Sequence, residues 1–347
     1  MNTVSLELSS TERKSTIFSG RLAELEGRCR TKRIAIITDE RVRGLYGSLF
    51  PSSAITMEMG RGEQFKTLRT VESLYEGFLE HRVDRSWLIV GVGGGIVCDV
   101  AGFAASTYLR GLSFAFVPTT LLAQVDASIG GKNGVNLGGY KNQVGTFNQP
   151  EFVLCDFGVL KTLPPEELKN GFAEVIKHAL IADDRLFSFL ETNTDEALAL
   201  YPDAIERVVY DSLIIKSGIV SRDETEKGER RKLNFGHTVG HALEKVCGLR
   251  HGEAVSVGMV VASRLSVRKG LLSEENVQRI QRLLAAFHLP VGVQADGALI
   301  REALWKDKKR EDNRIHVVLL DGIGRATVEP LAMNELNEVI DDLCQSR

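Results

Sequence analysis

Residues 86–102 read SWLIVGVGGGIVCDVAG, an apolar run that ends in consecutive glycines and continues as a second, mostly apolar stretch. The first part has the composition of a buried strand, and a helix is expected after the glycines. Such a turn lets backbone N–H groups at a helix N-terminus approach a pyrophosphate. The dinucleotide fingerprint G-x-G-x-x-G is not met, because its last position falls on Ile96 or Cys98. Asp99 lies one turn into the expected helix, where its charge would repel an anion, so it needs a basic or hydroxyl partner. Two interpretations of the glycine turn remain open: a nucleotide-binding turn and a purely structural one.

The alternation of strand and helix patterns continues on both sides of this stretch. Apolar runs at 33–40, 112–120 and 152–160 predict further strands, and residues 63–81 have helical spacing. This alternation predicts an open, mostly parallel sheet that binds ligands at the carboxyl ends of its strands.

The sequence changes in character after the prolines at 164 and 165. Stretches with helical periodicity follow, and only residues 315–324 resemble a late pair of strands. We therefore predict an α/β fold with a Rossmann-like, mostly parallel N-terminal domain at residues 1–160. A mainly α-helical domain is expected at residues 161–347.

The composition is that of a globular protein, with 43% hydrophobic and 26% charged residues in a chain of 347. The net charge of −3 gives no bulk attraction to nucleic acid or to an anionic membrane. We see neither an apolar stretch of about 18 residues nor a secretory pattern. The five scattered cysteines form no C-x-x-C pair and favour a reducing compartment. We expect a cytoplasmic protein that binds a small molecule, with no nucleic-acid or membrane partner.

Histidines and one glutamate form a candidate metal site. In NFGHTVGHALE (234–244), His237 and His241 lie about one helical turn apart, but a threonine replaces the glutamate of H-E-x-x-H. His251 follows in HGEAV, and Glu174 lies in GFAEVIKHALI. One carboxylate with two or three imidazoles suits zinc and leaves a position open for substrate or water. Spacing does not decide which histidines bind, and each histidine alone is more often an interior residue than a ligand.

A polar, glycine-rich segment, DASIGGKNGVNLGGYKNQVGTFNQP, occupies residues 126–150. We predict a long loop without a core of its own, and long ordered loops are usually functional. Lys132, Lys141 and Asn142 suit a phosphorylated or carboxylated ligand. A flexible surface loop is the alternative.

In their order along the chain, these stretches resemble the 3-dehydroquinate synthase family, a branch of the sugar-phosphate cyclases. The resemblance extends from Asp39 to Gly324. It is carried by GGGIVCDVAGFAASTYLRG, PTTLLAQVDASIGGKNGVN, KNQVGTFNQP, GFAEVIKHA, KLNFGHTVGHALE and HGEAV.

The resemblance implies a fold, an activity and two cofactors. Members have a nucleotide-binding α/β domain and a helical domain, with the active site in the cleft between them. They use NAD and a divalent metal, usually zinc with cobalt as an alternative, and a homodimer is expected. They convert 3-deoxy-D-arabino-heptulosonate 7-phosphate to 3-dehydroquinate and phosphate, in the shikimate route to chorismate and aromatic amino acids. The reaction is that of a phosphate-eliminating carbon–oxygen lyase without net turnover of NAD.

Matching the family motifs position by position implies four sets of site residues. The metal ligands are Glu174, His237 and His251, with His178 as the competitor. The cofactor-binding residues are Asp39, Glu63, Lys66, Gly94, Gly95, Asp99, Thr119, Thr120, Lys141, Thr162 and Asn170. The substrate-binding residues are Arg110, Asp126, Lys132, Asn142, Lys177, Lys216, Arg230, Asn234, His241, and Lys308 or Lys309. The catalytic residues are Lys177, His241, Arg230, Glu226, Asn234, Lys132, Asp126 and Lys216.

Three alternatives stay open. Another sugar-phosphate cyclase would share the fold and cofactors, although Arg230 and Asn234 favour a substrate with a carboxylate. A metal-dependent polyol dehydrogenase of the same fold would produce net NADH. An inactive regulator would be expected to lack a metal ligand or Lys177. The chain departs from the usual family pattern at Arg41 and in the charged segment 228–232.

Overall fold

The computed structural model describes residues 3–7, 14–29, 32–306, 310–311, 314–332 and 335–340. The chain divides into two compact units. Met1–Pro164 with Lys216–Glu224 form the first, and Pro165–Ile215 with Thr225–Arg347 form the second. Within the described residues no helix is long and apolar enough to cross a membrane. The cysteines among the described residues, Cys29, Cys98, Cys155 and Cys247, are free thiols.

The first unit is built on a sheet of seven strands. The described strands of this unit, in the sheet and in a separate hairpin, are β1 (Thr3–Glu7), β2 (Lys14–Ser19), β3 (Arg33–Asp39), β4 (Ile55–Met59), β5 (Trp87–Gly93), β6 (Ser113–Pro118), β7 (Lys132–Leu137), β8 (Tyr140–Phe147) and β9 (Phe152–Cys155). The large sheet has the order β1-β2-β9-β6-β5-β3-β4, while β7 and β8 form a separate hairpin. In the part of the sheet that runs from β2 through β9, β6, β5 and β3 to β4, every pair of neighbouring strands is parallel. Only β1 is antiparallel to its neighbour, β2. The interior strand β5 is buried along its whole length, as its continuous apolar run predicts.

Four helices belong entirely to the first unit. They are α1 (Leu25–Arg28), α2 (Glu40–Tyr46), α3 (Leu68–Glu80) and α4 (Gly95–Thr107). The helix predicted at 63–81 begins later than expected, at Leu68. The residues before it form a 3-10 turn, and the Thr67 hydroxyl caps α3 by accepting a hydrogen bond from the Thr70 N–H at 3.2 Å.

The prediction that 126–150 is a loop without a core is wrong, because β7 and β8 pair as an antiparallel hairpin. The turn is made by Gly138 and Gly139, with φ of 60° and 80°, which is the two-glycine turn that suits a hairpin. β7 packs on α4. A Cβ on Gly102 of α4 would lie 2.1 Å from Oδ1 of the buried Asn133, so only glycine permits this approach.

The second unit is mainly helical. Its helices are α5 (Pro165–Ala182), α6 (Asp184–Thr192), α7 (Thr194–Leu198), α8 (Pro202–Arg222), α9 (His237–Cys247), α10 (His251–Arg268), α11 (Glu274–Ala286) and α12 (Gly297–Lys306). The end of α8, from Lys216 onward, belongs to the first unit. A small antiparallel sheet follows, formed by β10 (Arg310–Glu311), β11 (Arg314–Leu320) and β12 (Ala326–Ala332).

The core of the second unit lies between α9, α10 and this sheet. Val239 and Leu243 of α9 meet Val257 and Val261 of α10, and Leu319 comes from β11. The predicted fold class, an α/β chain with a mostly parallel N-terminal sheet and a mainly helical C-terminal part, is confirmed. The division of function between residues 1–160 and 161–347 stays a prediction.

Candidate active site

Glu174, His237 and His251 lie together in the second unit, with potential ligand atoms within 4.8 Å of one another. Glu174 is fully buried in the middle of α5. The two histidines are the first residues of α9 and α10. The Nε2 atoms of His237 and His251 lie 3.5 Å and 3.4 Å, respectively, from the same atom, Oε1 of Glu174.

These separations suit a metal ion better than direct hydrogen bonds. Both exceed the range of about 2.7–3.2 Å that is usual for an N–H···O hydrogen bond. Ligand bonds of about 2.0–2.2 Å in a tetrahedral arrangement place neighbouring ligand atoms about 3.4 Å apart. One carboxylate and two imidazoles also match a zinc site with an open position. The donor set therefore fits the implied divalent metal.

The outer nitrogen of each imidazole has a hydrogen-bond partner. Nδ1 of His237 lies 3.1 Å from the carbonyl oxygen of Phe235, and Nδ1 of His251 lies 2.7 Å from Oε1 of Glu244. Both acceptors favour the tautomer in which Nδ1 carries the proton and Nε2 is available as a ligand.

The two imidazoles differ in their electrostatic surroundings. Burial, assisted by Lys177 and the neighbouring histidines, lowers the pKa of His237 to about 3, although Glu174 opposes the shift. Burial also lowers the pKa of His251, but the nearby carboxylates of Glu174 and Glu244 outweigh it and raise that pKa to about 9. A ligating imidazole must be neutral, so these surroundings favour the required form at His237, whereas His251 must lose a proton to act as a ligand.

Glycines allow the ligand-bearing helices to approach closely. Gly236 precedes α9 with φ of 78°, and a Cβ on Gly240 would lie 3.2 Å from the carbonyl oxygen of Ala254 in α10. Asn170 of α5 accepts a hydrogen bond from the N–H of Gly252 at 3.0 Å. This bond holds the start of α10 against α5, and therefore holds His251 near Glu174.

Other predicted site residues of the second unit surround this group. The buried Lys177 forms an ion pair with Glu174, one turn away on α5. The ring of His241 meets that of His237 edge-on, with centroids 5.4 Å apart. The competitor His178 is buried on α5. It lies outside the group of Glu174, His237 and His251, but one of its ring nitrogens is within 4.8 Å of a Glu174 carboxylate oxygen.

The charged segment 228–232 is ordered around a 3-10 turn at Glu229–Asn234. Within it Arg230 is only 2% exposed. The amide of Asn234 donates to Glu226, whose φ of 63° is unusual for a residue with a side chain. Strained backbone of this kind is concentrated at functional sites.

In the first unit, the glycine turn after β5 packs closely on its surroundings. Cβ atoms on Gly94 and Gly95 would lie 3.1 Å from Thr120 Cγ2 and 3.0 Å from Ala127 Cβ. The N–H of Thr119 donates to the carbonyl oxygen of Gly93 at 2.9 Å. The predicted cofactor residues at 94–95 and 119–120 are therefore neighbours at the carboxyl ends of β5 and β6.

Lys66 supplies the partner that Asp99 was expected to need. Its ammonium group forms an ion pair with the Asp99 carboxylate and donates to Oδ1 of Asn142 at 2.5 Å. Burial raises the pKa of Asp99, and Lys66 opposes this shift. One lysine thus joins a predicted cofactor residue to a predicted substrate residue.

Asn136, which sequence reasoning missed, connects the same hairpin to Glu63. Its amide donates to Oε1 of Glu63 at 2.7 Å, and its Oδ1 accepts from the N–H of Asn142 at 2.9 Å. Its position two residues before the glycine turn was the available signal.

Further cofactor candidates lie at the end of β3 and at residue 162. The Asp39 carboxylate accepts from the Val42 N–H at 3.0 Å and so caps α2. Arg41, where the chain departs from the family pattern, donates to the Thr162 carbonyl at 3.2 Å. The Thr162 hydroxyl lies 2.6 Å from the Tyr46 hydroxyl.

Asp126 lies in a π-helical turn and binds Lys216 of α8, with Nζ 2.5 Å from its carboxylate. Lys132 and Lys141 are exposed on the hairpin. Arg110 is exposed with φ of 65°. Lys308 and Lys309 lie outside the described residues.

Models of one protein family match most of the length of the sequence. Models described as the N-terminal and C-terminal parts of 3-dehydroquinate synthase match residues 56–170 and 171–310. A 3-dehydroquinate synthase of Dehalococcoides mccartyi is 40% identical, over 99% of this chain and 100% of that protein. The chain belongs to the 3-dehydroquinate synthase family. A second 3-dehydroquinate synthase, from Halorhodospira halophila, is 44% identical over 85% of this chain and 86% of its own length.

Solved structures of sugar-phosphate cyclases resemble this family member. A 2-deoxy-scyllo-inosose synthase complexed with carbaglucose-6-phosphate, NAD+ and Co2+ has a TM-score of 0.88 at 29% identity, covering 98% of this chain and 100% of that chain. A 2-epi-5-epi-valiolone synthase from Streptomyces hygroscopicus subsp. jinggangensis, with NAD+ and Zn2+ bound, has a TM-score of 0.88 at 30% identity and covers 98% of both chains. A probable glycerol dehydrogenase from Sinorhizobium meliloti has a TM-score of 0.68 at 16% identity over 94% of this chain and 96% of that chain, a likeness of fold alone.

Proposed function

We propose that Glu174, His237 and His251 bind the divalent metal of a 3-dehydroquinate synthase, zinc or alternatively cobalt, and that the first unit binds NAD. The observation that carries the proposal is the position of both Nε2 atoms 3.4–3.5 Å from one oxygen of a buried carboxylate. The activity is that of the family: 3-deoxy-D-arabino-heptulosonate 7-phosphate is converted to 3-dehydroquinate and phosphate. This reaction belongs to the shikimate route to chorismate and the aromatic amino acids.

The cofactors supply two kinds of chemistry when bound: NAD accepts and returns a hydride, and the metal polarises a substrate alcohol. We assign NAD binding to the residues that the family motifs imply, most of which belong to the first unit. They are Asp39, Glu63, Lys66, Gly94, Gly95, Asp99, Thr119, Thr120, Lys141, Thr162 and, on α5 of the second unit, Asn170. The glycine turn before α4 presents backbone N–H groups, as a pyrophosphate requires.

The substrate-binding residues that the family motifs imply are proposed to bind the substrate, and most of them are cationic or carry an amide. Lysine and arginine suit a molecule with a phosphate at one end and a carboxylate at the other. The set is Arg110, Asp126, Lys132, Asn142, Lys177, Lys216, Arg230, Asn234, His241, and Lys308 or Lys309. Arg230 is nearly buried, so it is suited to a fixed contact with a carboxylate.

Proton transfer is assigned to groups that are not metal ligands. His241 lies one turn from His237 on α9, is not one of the proposed metal ligands, and is assigned the transfer of a proton. The Lys177 ammonium offsets the charge of Glu174 and can orient an oxygen of the substrate. Glu226 fixes the Asn234 amide, which leaves the other amide hydrogen for the ligand. Asp126 fixes the Lys216 ammonium in the same way.

We further propose that the protein acts in the cytoplasm as a homodimer. The net charge of −3 gives no bulk attraction to nucleic acid. The lysine and arginine residues proposed above suit a small phosphorylated sugar acid as the partner.

The decisive experiment measures phosphate release from 3-deoxy-D-arabino-heptulosonate 7-phosphate by purified protein with NAD and zinc. Absorbance of NADH is followed in the same cuvette, and a parallel reaction contains a chelator. We expect release that requires both NAD and metal, with no accumulation of NADH. Failure of metal-loaded protein to release phosphate would favour another sugar-phosphate cyclase. Steady NADH formation from a polyol would identify a dehydrogenase.

A further inference from the structure

We propose that Glu244 is a positioning residue for the metal centre, acting through His251. The proposal rests on the assignment of Glu174, His237 and His251 as metal ligands. It adds a carboxylate behind one of these ligands that controls the direction and basicity of the imidazole.

The contact is short and mostly shielded from water. Oε1 of Glu244 lies 2.7 Å from Nδ1 of His251, and the Glu244 side chain is only 10% exposed. This is the length of a charge-assisted hydrogen bond. When Nδ1 donates its proton to the carboxylate, the lone pair remains on Nε2, which lies 3.4 Å from Glu174. Glu244 therefore selects the tautomer of His251 that can act as a ligand.

The other histidine is held by a weaker acceptor. Nδ1 of His237 faces the neutral carbonyl of Phe235 at 3.1 Å, whereas His251 faces a carboxylate. A carboxylate raises the basicity of an imidazole ligand more than a carbonyl does, because it stabilises positive charge on the ring. The two imidazoles should thus differ in basicity. The acceptor at His251 is a side chain, so a substitution can remove it, whereas the acceptor at His237 is a backbone carbonyl.

Helical geometry explains how Glu244 reaches its position. His237, His241 and Glu244 occupy positions i, i+4 and i+7 of α9 and so lie on one face. The close approach of α9 and α10 at Gly240 brings this face to the first turn of α10. One helix therefore provides a metal ligand and also the group that orients a ligand on the next helix.

The test is zinc affinity, measured on purified full-length protein by competition with a chromophoric chelator. Glu244→Gln keeps the shape and removes the charge, and we expect affinity to fall about tenfold. Glu244→Ala removes the acceptor, and we expect a loss of up to about a hundredfold. The matched control is Glu253→Gln, because Glu253 lies in the first turn of α10 but accepts from the Arg250 N–H at 3.1 Å. This control should keep the parent affinity.

Two further measurements separate positioning from general damage. The unfolding temperature of the metal-free Glu244→Gln protein should match the parent, and the visible spectrum of its Co2+ complex should shift. Parent zinc affinity in a folded Glu244→Gln protein would overturn the proposal, and this variant decides the matter if Glu244→Ala does not fold. His251→Ala serves as the reference. If His251→Ala retains the parent zinc affinity, the assignment of His251 as a ligand is wrong. If His251→Ala loses affinity but the Glu244 variants retain it, only the positioning role of Glu244 is wrong.

Discussion

Gly258 of α10 lies so close to Gly236 that a Cβ on Gly258 would be 1.9 Å from the Gly236 carbonyl oxygen. The two helices that begin at His237 and His251 are therefore held together by backbone contact. Only glycine leaves enough space at position 258 for this contact. The distance between His237 and His251 depends on the contact, because these residues begin the two helices.

Gly258→Ala should therefore destabilise the fold and weaken zinc binding together. Overpacking of this kind typically costs about 1–3 kcal/mol. Urea unfolding and zinc competition measure the two effects. Gly44→Ala in α2 is the control, because a Cβ there meets nothing within 4 Å. That control should be neutral or stabilising by up to about 1 kcal/mol, since alanine favours helices. Equal behaviour of the two variants would contradict the packing explanation.

Glu174→Gln should abolish stoichiometric zinc binding and phosphate release. An amide oxygen is a poor replacement for the carboxylate that faces both imidazoles. Metal content per protein chain, measured after gel filtration, gives the answer directly. Glu166→Gln on the first, exposed turn of α5 should retain one zinc per chain. Retention of zinc by the Glu174 variant would remove this residue from the ligand set.

Lys66→Met should destabilise the first unit in a pH-dependent manner. Burial already raises the pKa of Asp99, and loss of the opposing lysine raises it further. At neutral pH the ionised carboxylate then lacks its cation, at a cost of about 3 kcal/mol. As the pH falls toward that raised pKa, a proton neutralises Asp99 in the folded protein, and the cost shrinks.

Urea unfolding at several pH values between neutrality and the ordinary carboxylate pKa tests this dependence. Arg43→Met is the control, because Arg43 and Glu58 form an ion pair with side chains 51% and 36% exposed. Its effect should stay small, within about 1 kcal/mol, at every pH. A cost for Lys66→Met that does not change with pH would argue against an ionised Asp99.

Gly138→Val should weaken substrate binding more than it lowers the maximal rate. The φ of 60° at Gly138 excludes a β-branched residue, so the hairpin that carries Lys132 and Asn142 should lose order. Steady-state kinetics should show a higher KM for the substrate. Gly138→Asn should behave like the parent, because asparagine tolerates this conformation. A normal KM in the valine variant would exclude a role of the hairpin in binding.

The buried strands were predictable because a strand that is buried on both faces must consist almost entirely of apolar residues. β3 and β5 are shielded on both faces, so their apolar runs read directly as strands. The β7–β8 hairpin escaped prediction because β8 is largely exposed and carries polar residues. Its glycine pair was the one signal, and it was read as part of a loop.

The metal ligands were predictable as a set only through the family motifs. Spacing alone left His241 as a possible ligand beside His237. The structure places the Nε2 atoms of His237 and His251 at one oxygen of Glu174, a relation between three helices that no local pattern encodes. The contact of Glu244 with His251 was invisible for the same reason, because it depends on the distance between α9 and α10.

The pairing of Lys216 with Asp126 bears on any attempt to divide the protein. The first unit needs the end of α8, which the chain reaches only after it has built much of the second unit. A fragment that stops at Pro164 keeps Asp126, whereas Lys216 stays with the fragment that starts at Pro165. A single cut between these two prolines should therefore yield an N-terminal fragment that aggregates when expressed alone. Co-expression of both pieces is the route by which a split enzyme could regain activity.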